Sequence, residues 1–178
     1  QPLSVELDGQ RIEDLPWPSG QPRIWLTRNH DEWSATPAPS AAQKGPNRCG
    51  PFKDVFRNRF LFLVGTRGHD DENAWAIAKA RYDAETFQYR GNGSVDIVRD
   101  VDFDPAKEPD RNVIVYGDAD TNAAWAALLK SSPVQIRRGL VRIGRRELNG
   151  ADLACLFVQP RPGSDRALVG VIGGTGLA

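Results

Sequence analysis

Residues 60–66 read Phe60-Leu61-Phe62-Leu63-Val64-Gly65-Thr66, a continuous apolar run that ends in a glycine turn. Two later stretches repeat this pattern: Val113 to Tyr116 leads into Gly117-Asp118, and Leu168 to Ile172 leads into Gly173-Gly174-Thr175. Apolar runs without alternation are typical of strands that are buried on both faces, as in parallel sheets. We therefore expect the three turns to meet at one carboxyl edge of such a sheet, where open α/β sheets bind ligands.

The pattern alternates between strand and helix after residue 45. Residues 71–89 predict an amphipathic helix, and residues 120–130 predict an alanine-rich helix that Pro133 ends. The alternation predicts an α/β domain over residues 46–178, with a mixed, mostly parallel sheet flanked by helices in a Rossmann- or flavodoxin-like arrangement. Because Gly173 to Ala178 resembles a strand-to-helix turn without its helix, we expect this domain to be truncated at its carboxyl end.

Residues 1–45 have a different character. Asp8-Gly9 predicts a two-residue hairpin turn, and Arg23 to Thr27 predicts a further strand. A proline-rich passage that includes Pro37, Pro39 and Pro46 then predicts a linker. We interpret this segment as a small antiparallel β unit followed by a linker. Since the chain begins without Met, we expect this unit to be the end of a preceding domain.

Composition argues against two classes of partner. The 178 residues carry 23 Lys and Arg against 23 Asp and Glu, so no net field attracts nucleic acid or an anionic membrane. No stretch reaches the roughly 18 to 20 apolar residues of a membrane span. Cys49 and Cys155 lie far apart in sequence and are interpreted as unbridged thiols, although their redox state stays open.

Several motifs, taken in order, carry a family resemblance. They are Leu7-Asp8-Gly9-Gln10, Trp25-Leu26, Glu32-Trp33, Lys44-Gly45-Pro46, Gly50 to Phe56, Phe60 to Thr66, Glu72-Asn73 and Asn112 to Asp118 through Asn122. This ordered set resembles the carboxyl-terminal region of bacterial secreted α/β hydrolases, which are described as prolyl-oligopeptidase-like peptidases or esterases. The resemblance covers nearly the whole chain, and the set is more specific than any one motif.

The resemblance implies a role beside a catalytic module. In such proteins the Ser-His-Asp module lies upstream, so the chain would be a non-catalytic accessory module of a secreted or periplasmic serine hydrolase that contributes to substrate binding. Its partner would be the upstream α/β-hydrolase module of the same polypeptide. None of the serines lies in a Gly-x-Ser-x-Gly elbow, which is how that fold presents its nucleophile.

Weaker signals suggest chemistry within the chain itself. His69 precedes three acidic residues at a predicted helix start and could act as a base, with Asp118 as its partner in an independent hydrolase. Asp118, Asp120 and Asn122 alternate oxygen ligands, but helix capping is the favoured interpretation and no metal is expected. The glycine turns lack the spacing of a dinucleotide or phosphate loop, so no cofactor is expected either.

A third hypothesis is a stand-alone domain that binds a small molecule, a peptide or a sugar. Its cleft would be formed at the three turns. The candidate ligand-binding residues are Gly65, Thr66, Asn73, Gly117, Asp118, Asn122, Gly173, Gly174 and Thr175.

Overall fold

The structure is a computed structural model that describes residues 2–17, 19–20, 22–40, 43–45, 48 and 50–177. Pro46 and Cys49 lie outside these described residues. The carboxyl end of the predicted linker and the unbridged state of Cys49 therefore stay predictions. The chain divides into two compact units, Gln1–Gln43 and Lys44–Ala178. Among the described residues, no helix is both long enough and apolar enough to cross a membrane.

The first unit consists of two β-hairpins. Strands β1 (Leu3–Leu7) and β2 (Gln10–Leu15) pair antiparallel, and so do β3 (Trp25–Asn29) and β4 (Glu32–Thr36). Asp8-Gly9 and His30-Asp31 form the turns with positive φ, as two-residue hairpin turns require. The Gln10 side chain joins the hairpins, because its Oε1 accepts the Trp33 N–H at 2.6 Å and its Nε2 donates to the Trp33 carbonyl at 2.9 Å.

The second unit is built on a five-stranded sheet. Its strands are β5 (Phe60–Val64), β6 (Asp96–Arg99), β7 (Asn112–Tyr116), β11 (Ala154–Pro160) and β12 (Leu168–Gly174), in the spatial order β11-β12-β7-β5-β6. Neighbouring strands from β12 to β6 run parallel, whereas β11 is an antiparallel edge strand. Every side chain of β5 and β7 is buried, which is why these two runs show no polar alternation.

The two faces of this sheet are covered by different kinds of structure. One face packs Phe60, Phe62 and Tyr116 against helix α1 (Asp70–Gly91) and a 3₁₀ helix at Phe52–Arg57. The other face packs Leu63 and Val115 against a five-residue helix, α2 (Trp125–Leu129), and a three-stranded antiparallel sheet. The strands of that small sheet are β8 (Val134–Arg137), β9 (Leu140–Ile143) and β10 (Arg146–Asn149).

The predicted Rossmann- or flavodoxin-like, helix-flanked α/β fold is therefore wrong. The described residues form a mostly β chain of twelve strands, with one long helix and one short one. An apolar run shows only that both faces of a strand are covered, so it does not distinguish a covering helix from a covering antiparallel sheet. The predicted helix over residues 120–130 shortens to Trp125–Leu129 because Asp118 to Asn122 form a hydrogen-bonded turn instead.

Candidate functional site: a crevice at the carboxyl edge of the sheet

The structure brings the three glycine turns together. Val64 and Ile172 both lie opposite Tyr116 in the sheet register. The backbone pairing continues into the turns, because the Gly65 N–H donates to the Tyr116 carbonyl at 3.2 Å and the Gly117 N–H donates to the Ile172 carbonyl at 3.1 Å. A shallow crevice opens beside them. It is lined by Gly65, Glu72, Asn73, Trp75, Ala76, Gly117, Asp118, Thr121, Gly174, Gly176 and Leu177.

The candidate ligand-binding residues divide into two groups. Five of them line the crevice: Gly65, Asn73, Gly117, Asp118 and Gly174. The other four lie in the same turns without lining it: Thr66, Asn122, Gly173 and Thr175. The prediction that the turns meet is confirmed by the register of the strands, while ligand binding stays a prediction.

Asp118 closes the turn that follows β7. Its Oδ1 accepts the backbone N–H of Asp120 at 2.7 Å and that of Thr121 at 3.1 Å, while its own N–H donates to Thr121 Oγ1 at 2.9 Å. Gly117 has a φ of +114°, and a Cβ there would lie 2.6 Å from Thr121 Oγ1, so glycine is required at this position. Burial raises the pKa of Asp118, whereas the two backbone donors act in the opposite direction.

Asn122 holds the ends of two strands together. Its Nδ2 donates to the carbonyls of Leu63 at 3.3 Å and Tyr116 at 3.2 Å, and its Oδ1 accepts the Ala124 N–H at 3.0 Å. The Asn122 residue is 2 % exposed. The Asn122 amide therefore bonds within the protein. For this reason Asp118 and Asn122 do not converge on a common ligand position.

Thr66 and Asn73 likewise bond to neighbouring parts of the chain. Thr66 Oγ1 donates to Asp100 Oδ1 at 2.6 Å, and Asp100 Oδ2 accepts the Ala123 N–H at 2.5 Å. The Asn73 amide accepts the Gly68 N–H at 3.0 Å and donates to the Gly68 carbonyl at 3.0 Å. Asp100, which is 4 % exposed, was missed by the sequence analysis although it joins two of the loops behind the crevice.

Thr175 completes the pattern at the third turn. Its Oγ1 accepts the Leu153 N–H at 3.0 Å, and its own N–H donates to the Leu153 carbonyl at 3.0 Å. The hydroxyl is buried and faces the chain that enters β11. Thr175 therefore fixes the carboxyl end of β12 to the edge strand.

A charged pair lies at the rim of the crevice. Arg138 Nε donates to Glu72 Oε1 at 2.7 Å, and Arg138 Nη2 donates to Glu72 Oε2 at 2.6 Å, which is bidentate geometry. Glu72 Oε2 also accepts the His69 N–H at 2.6 Å. The Arg138 hydrogen bonds are the main cause that lowers the pKa of Glu72 to about 2. Sequence spacing could have indicated the bond between Glu72 and His69, since Glu occupies the third helical position, but not a partner 66 residues away.

This pair predicts a pH-dependent contribution to stability. Glu72→Gln should lower the free energy of unfolding by about 1 kcal/mol at pH 7, the upper range for ion pairs near the surface. Because the folded-state pKa is depressed below 4.5, the contribution is complete above about pH 4.5 and is lost as the pH falls toward 2. Urea unfolding of both proteins between pH 2 and pH 7 measures the difference. A difference that stays constant over this range would contradict the assignment.

The candidate catalytic pair is not assembled. His69 directly precedes α1 and its side chain is exposed, while Asp118 is buried and bonds to the turn. No hydrogen bond or ion pair between described residues joins the two side chains. The geometry therefore gives no support to His69 as a base that Asp118 orients.

The crevice is small, and few of its polar groups are free. The volume open to the centre of a water molecule is about 30 Å³. Pockets for drug-sized ligands are typically about 300 to 1,000 Å³. Among the described residues, Asp118 Oδ2 accepts no hydrogen bond, since the N–H groups of Asp120 and Thr121 both donate to Oδ1. The crevice offers one carboxylate oxygen and the Glu72–Arg138 pair to a neighbouring group.

Comparison of the chain with protein-family models, curated proteins and solved structures finds no significant match.

Proposed function

We propose that this chain is a non-catalytic accessory module of a secreted serine hydrolase, either a peptidase or an esterase. The upstream α/β-hydrolase module of the same polypeptide would supply the catalytic triad, and the crevice would extend its substrate cleft. The hydrolase assignment and the secreted location both rest on the ordered motifs that resemble this family.

One structural observation carries the non-catalytic part of the proposal. The polar side chains of Asn122 and Thr175 hold the chain's own turns, and no hydrogen bond or ion pair between described residues joins Asp118 to His69. A hydrolase needs a base within hydrogen-bond reach of a nucleophile and a third group that orients the base. These residues therefore support a fixed edge of a cleft better than a reacting centre.

The small volume of the crevice favours the accessory role over a stand-alone ligand-binding domain. A space of about 30 Å³ holds water or one small group, not a whole sugar or peptide. Together with a second surface, the same edge could contact part of a larger substrate. Asp118 Oδ2 and the Arg138 guanidinium are the groups that would do so.

Two experiments test this proposal. In the first experiment, the 178-residue chain should not turn over p-nitrophenyl esters or chromogenic prolyl peptides. A fluorophosphonate probe should not label it either. If the chain does turn over a substrate, and Asp118→Asn abolishes this activity without unfolding the chain, the chain is an independent hydrolase instead.

The second experiment examines the full reading frame and its product. We expect a Gly-x-Ser-x-Gly elbow upstream of these residues, and its absence would refute the accessory role. In that full-length enzyme, Asp118→Asn should raise KM several-fold with kcat unchanged, because it weakens substrate binding without touching the triad. Fluorophosphonate labelling of the upstream serine is the control for an intact active site.

A further inference from the structure

The two edges of the five-stranded sheet differ in how they are protected. The outer strand β6 has only four residues, and it begins with Asp96 and ends with Arg99. Short, charged edges discourage pairing with another chain. The opposite edge strand β11 has seven residues, reads Ala154-Cys155-Leu156-Phe157-Val158-Gln159-Pro160, and contains no charge. Such an edge favours pairing with a further strand.

The hydrogen bonds at both ends of β11 show which of its backbone groups face outward. Arg161 N–H donates to the Ala167 carbonyl, and Thr175 N–H donates to the Leu153 carbonyl. In an antiparallel pair, hydrogen-bonded residues alternate with residues whose backbone groups point away from the partner strand. The odd-numbered residues of β11 therefore bond to β12, whereas Ala154, Leu156 and Val158 direct their N–H and carbonyl groups outward.

No other described residue supplies a bond to these outward groups. Leu156 is the middle one of these three residues, and it is 61 % exposed. Alternation along the strand places its side chain on the face opposite Cys155 and Phe157, which pack into the core. An unpaired backbone row and an exposed apolar side chain thus coincide at one position.

We infer that β11 is a dimerisation edge, which pairs antiparallel with β11 of a second copy of this chain. The two-fold axis passes beside Leu156, so that Leu156 lies opposite its own counterpart and Ala154 lies opposite Val158. Each of these three pairs exchanges two backbone hydrogen bonds, as hydrogen-bonded antiparallel pairs do. The two sheets then form one continuous ten-stranded sheet.

Self-pairing is favoured because the strand is uncharged. Any charge near a two-fold axis would face its own like charge in the partner, which destabilises a cross-strand pair. The nearest charges, on Asp152 and Arg161, fall opposite Pro160 and Ala151 in this register. Isologous two-fold contacts are also the commonest form of self-association. Pro160, which lacks an N–H group, limits the pairing at its carboxyl end.

The first test is the mass of the 178-residue chain in solution as a function of concentration. Sedimentation equilibrium should show a dimer that dissociates on dilution, and Leu156→Lys should raise the dissociation constant at least about tenfold by placing like charges opposite each other. Tyr89→Lys is the matched control, since Tyr89 is 91 % exposed on α1, and it should leave the dimer unchanged. A monomer at all concentrations would overturn the inference.

The second test is register-specific crosslinking in a chain that also carries Cys49→Ser and Cys155→Ser. Leu156→Cys should form a disulfide-linked dimer, because Cα atoms of a hydrogen-bonded pair are about 5.5 Å apart, within disulfide reach. Ala154→Cys should not, because four residues of strand, about 14 Å, separate it from its counterpart. Equal crosslinking of both variants, or a dimer that survives Leu156→Lys, would overturn the proposed pairing.

Discussion

Gly65→Ala is expected to lower the free energy of unfolding by about 3 kcal/mol, the upper range for overpacking. A Cβ at this position would lie 2.5 Å from the Thr121 carbonyl oxygen and 3.3 Å from the Asn122 Cα. Both atoms belong to backbone, so neither can rotate away as a flexible side chain would. The Thr121 carbonyl also accepts the Arg67 N–H at 2.9 Å, and moving it would break that bond.

The neighbouring structure leaves little room for relief. Asn122 holds its own backbone in place through bonds to the carbonyls of Leu63 and Tyr116, and Gly65 is itself bonded to Tyr116. Displacement of the turn would therefore disturb both β5 and β7. Urea unfolding measures the effect: the urea concentration at the midpoint should fall, while the dependence of the unfolding free energy on urea concentration should stay the same.

Gly45→Ala is the matched control for this substitution. No atom of the residues that the structure describes lies within 4 Å of a Cβ built there, and the Gly45 backbone is not in the positive-φ region. Its effect should lie between zero and a stabilisation of about 1 kcal/mol, since alanine restricts the unfolded chain. Equal midpoints for the Gly65 and Gly45 variants would contradict the close backbone approach in the structure.

The sequence predicts the strands of the sheet better than it predicts their surroundings. The apolar runs place β5 at Phe60–Val64 and β7 at Asn112–Tyr116, because full burial on both faces removes polar alternation. The coverage of one face by α2 and the β8–β10 sheet could not be predicted in this way. Short strands around a glycine turn pair according to tertiary contacts, which local pattern does not contain.

The candidate site shows the same division. Glycine turns after parallel strands are a local signal, so the meeting of Gly65 with Gly117 could be predicted. The Thr66–Asp100 and Glu72–Arg138 bonds join residues 34 and 66 positions apart, and no local spacing indicates them. His69 beside acidic residues resembles a catalytic motif, but the structure uses the His69 N–H for the Glu72 bond at the start of a helix.

Arg161→Met is expected to lower the free energy of unfolding by at least about 3 kcal/mol, since it removes three bonds to a charged group and each contributes roughly 1.5 to 3 kcal/mol. The Arg161 guanidinium donates to the carbonyls of Pro105 at 2.8 Å and Glu108 at 2.9 Å, and also to that of Arg111. It lies 5.8 Å from the centre of the Phe103 ring. Arg161 therefore holds the irregular segment before β7.

The burial of Arg161 makes these bonds essential. The residue is 2 % exposed, and burial lowers the pKa of its guanidinium while Asp110 and Glu108 oppose that shift. Methionine fills much of the same volume but donates no hydrogen bond, so the three carbonyls lose their partner. Hydrogen exchange should consequently accelerate in residues 103–111 more than in the strands of the sheet.

Arg166→Met provides the control with the same chemical change. The Arg166 side chain is 69 % exposed, and its contacts to Asp110 and Asp165 are long, at 3.7 and 3.6 Å. Its replacement should change the free energy of unfolding by less than about 0.5 kcal/mol. If both variants unfold at the same urea concentration, the buried guanidinium does not hold the segment before β7, and unchanged hydrogen exchange over residues 103–111 would lead to the same conclusion.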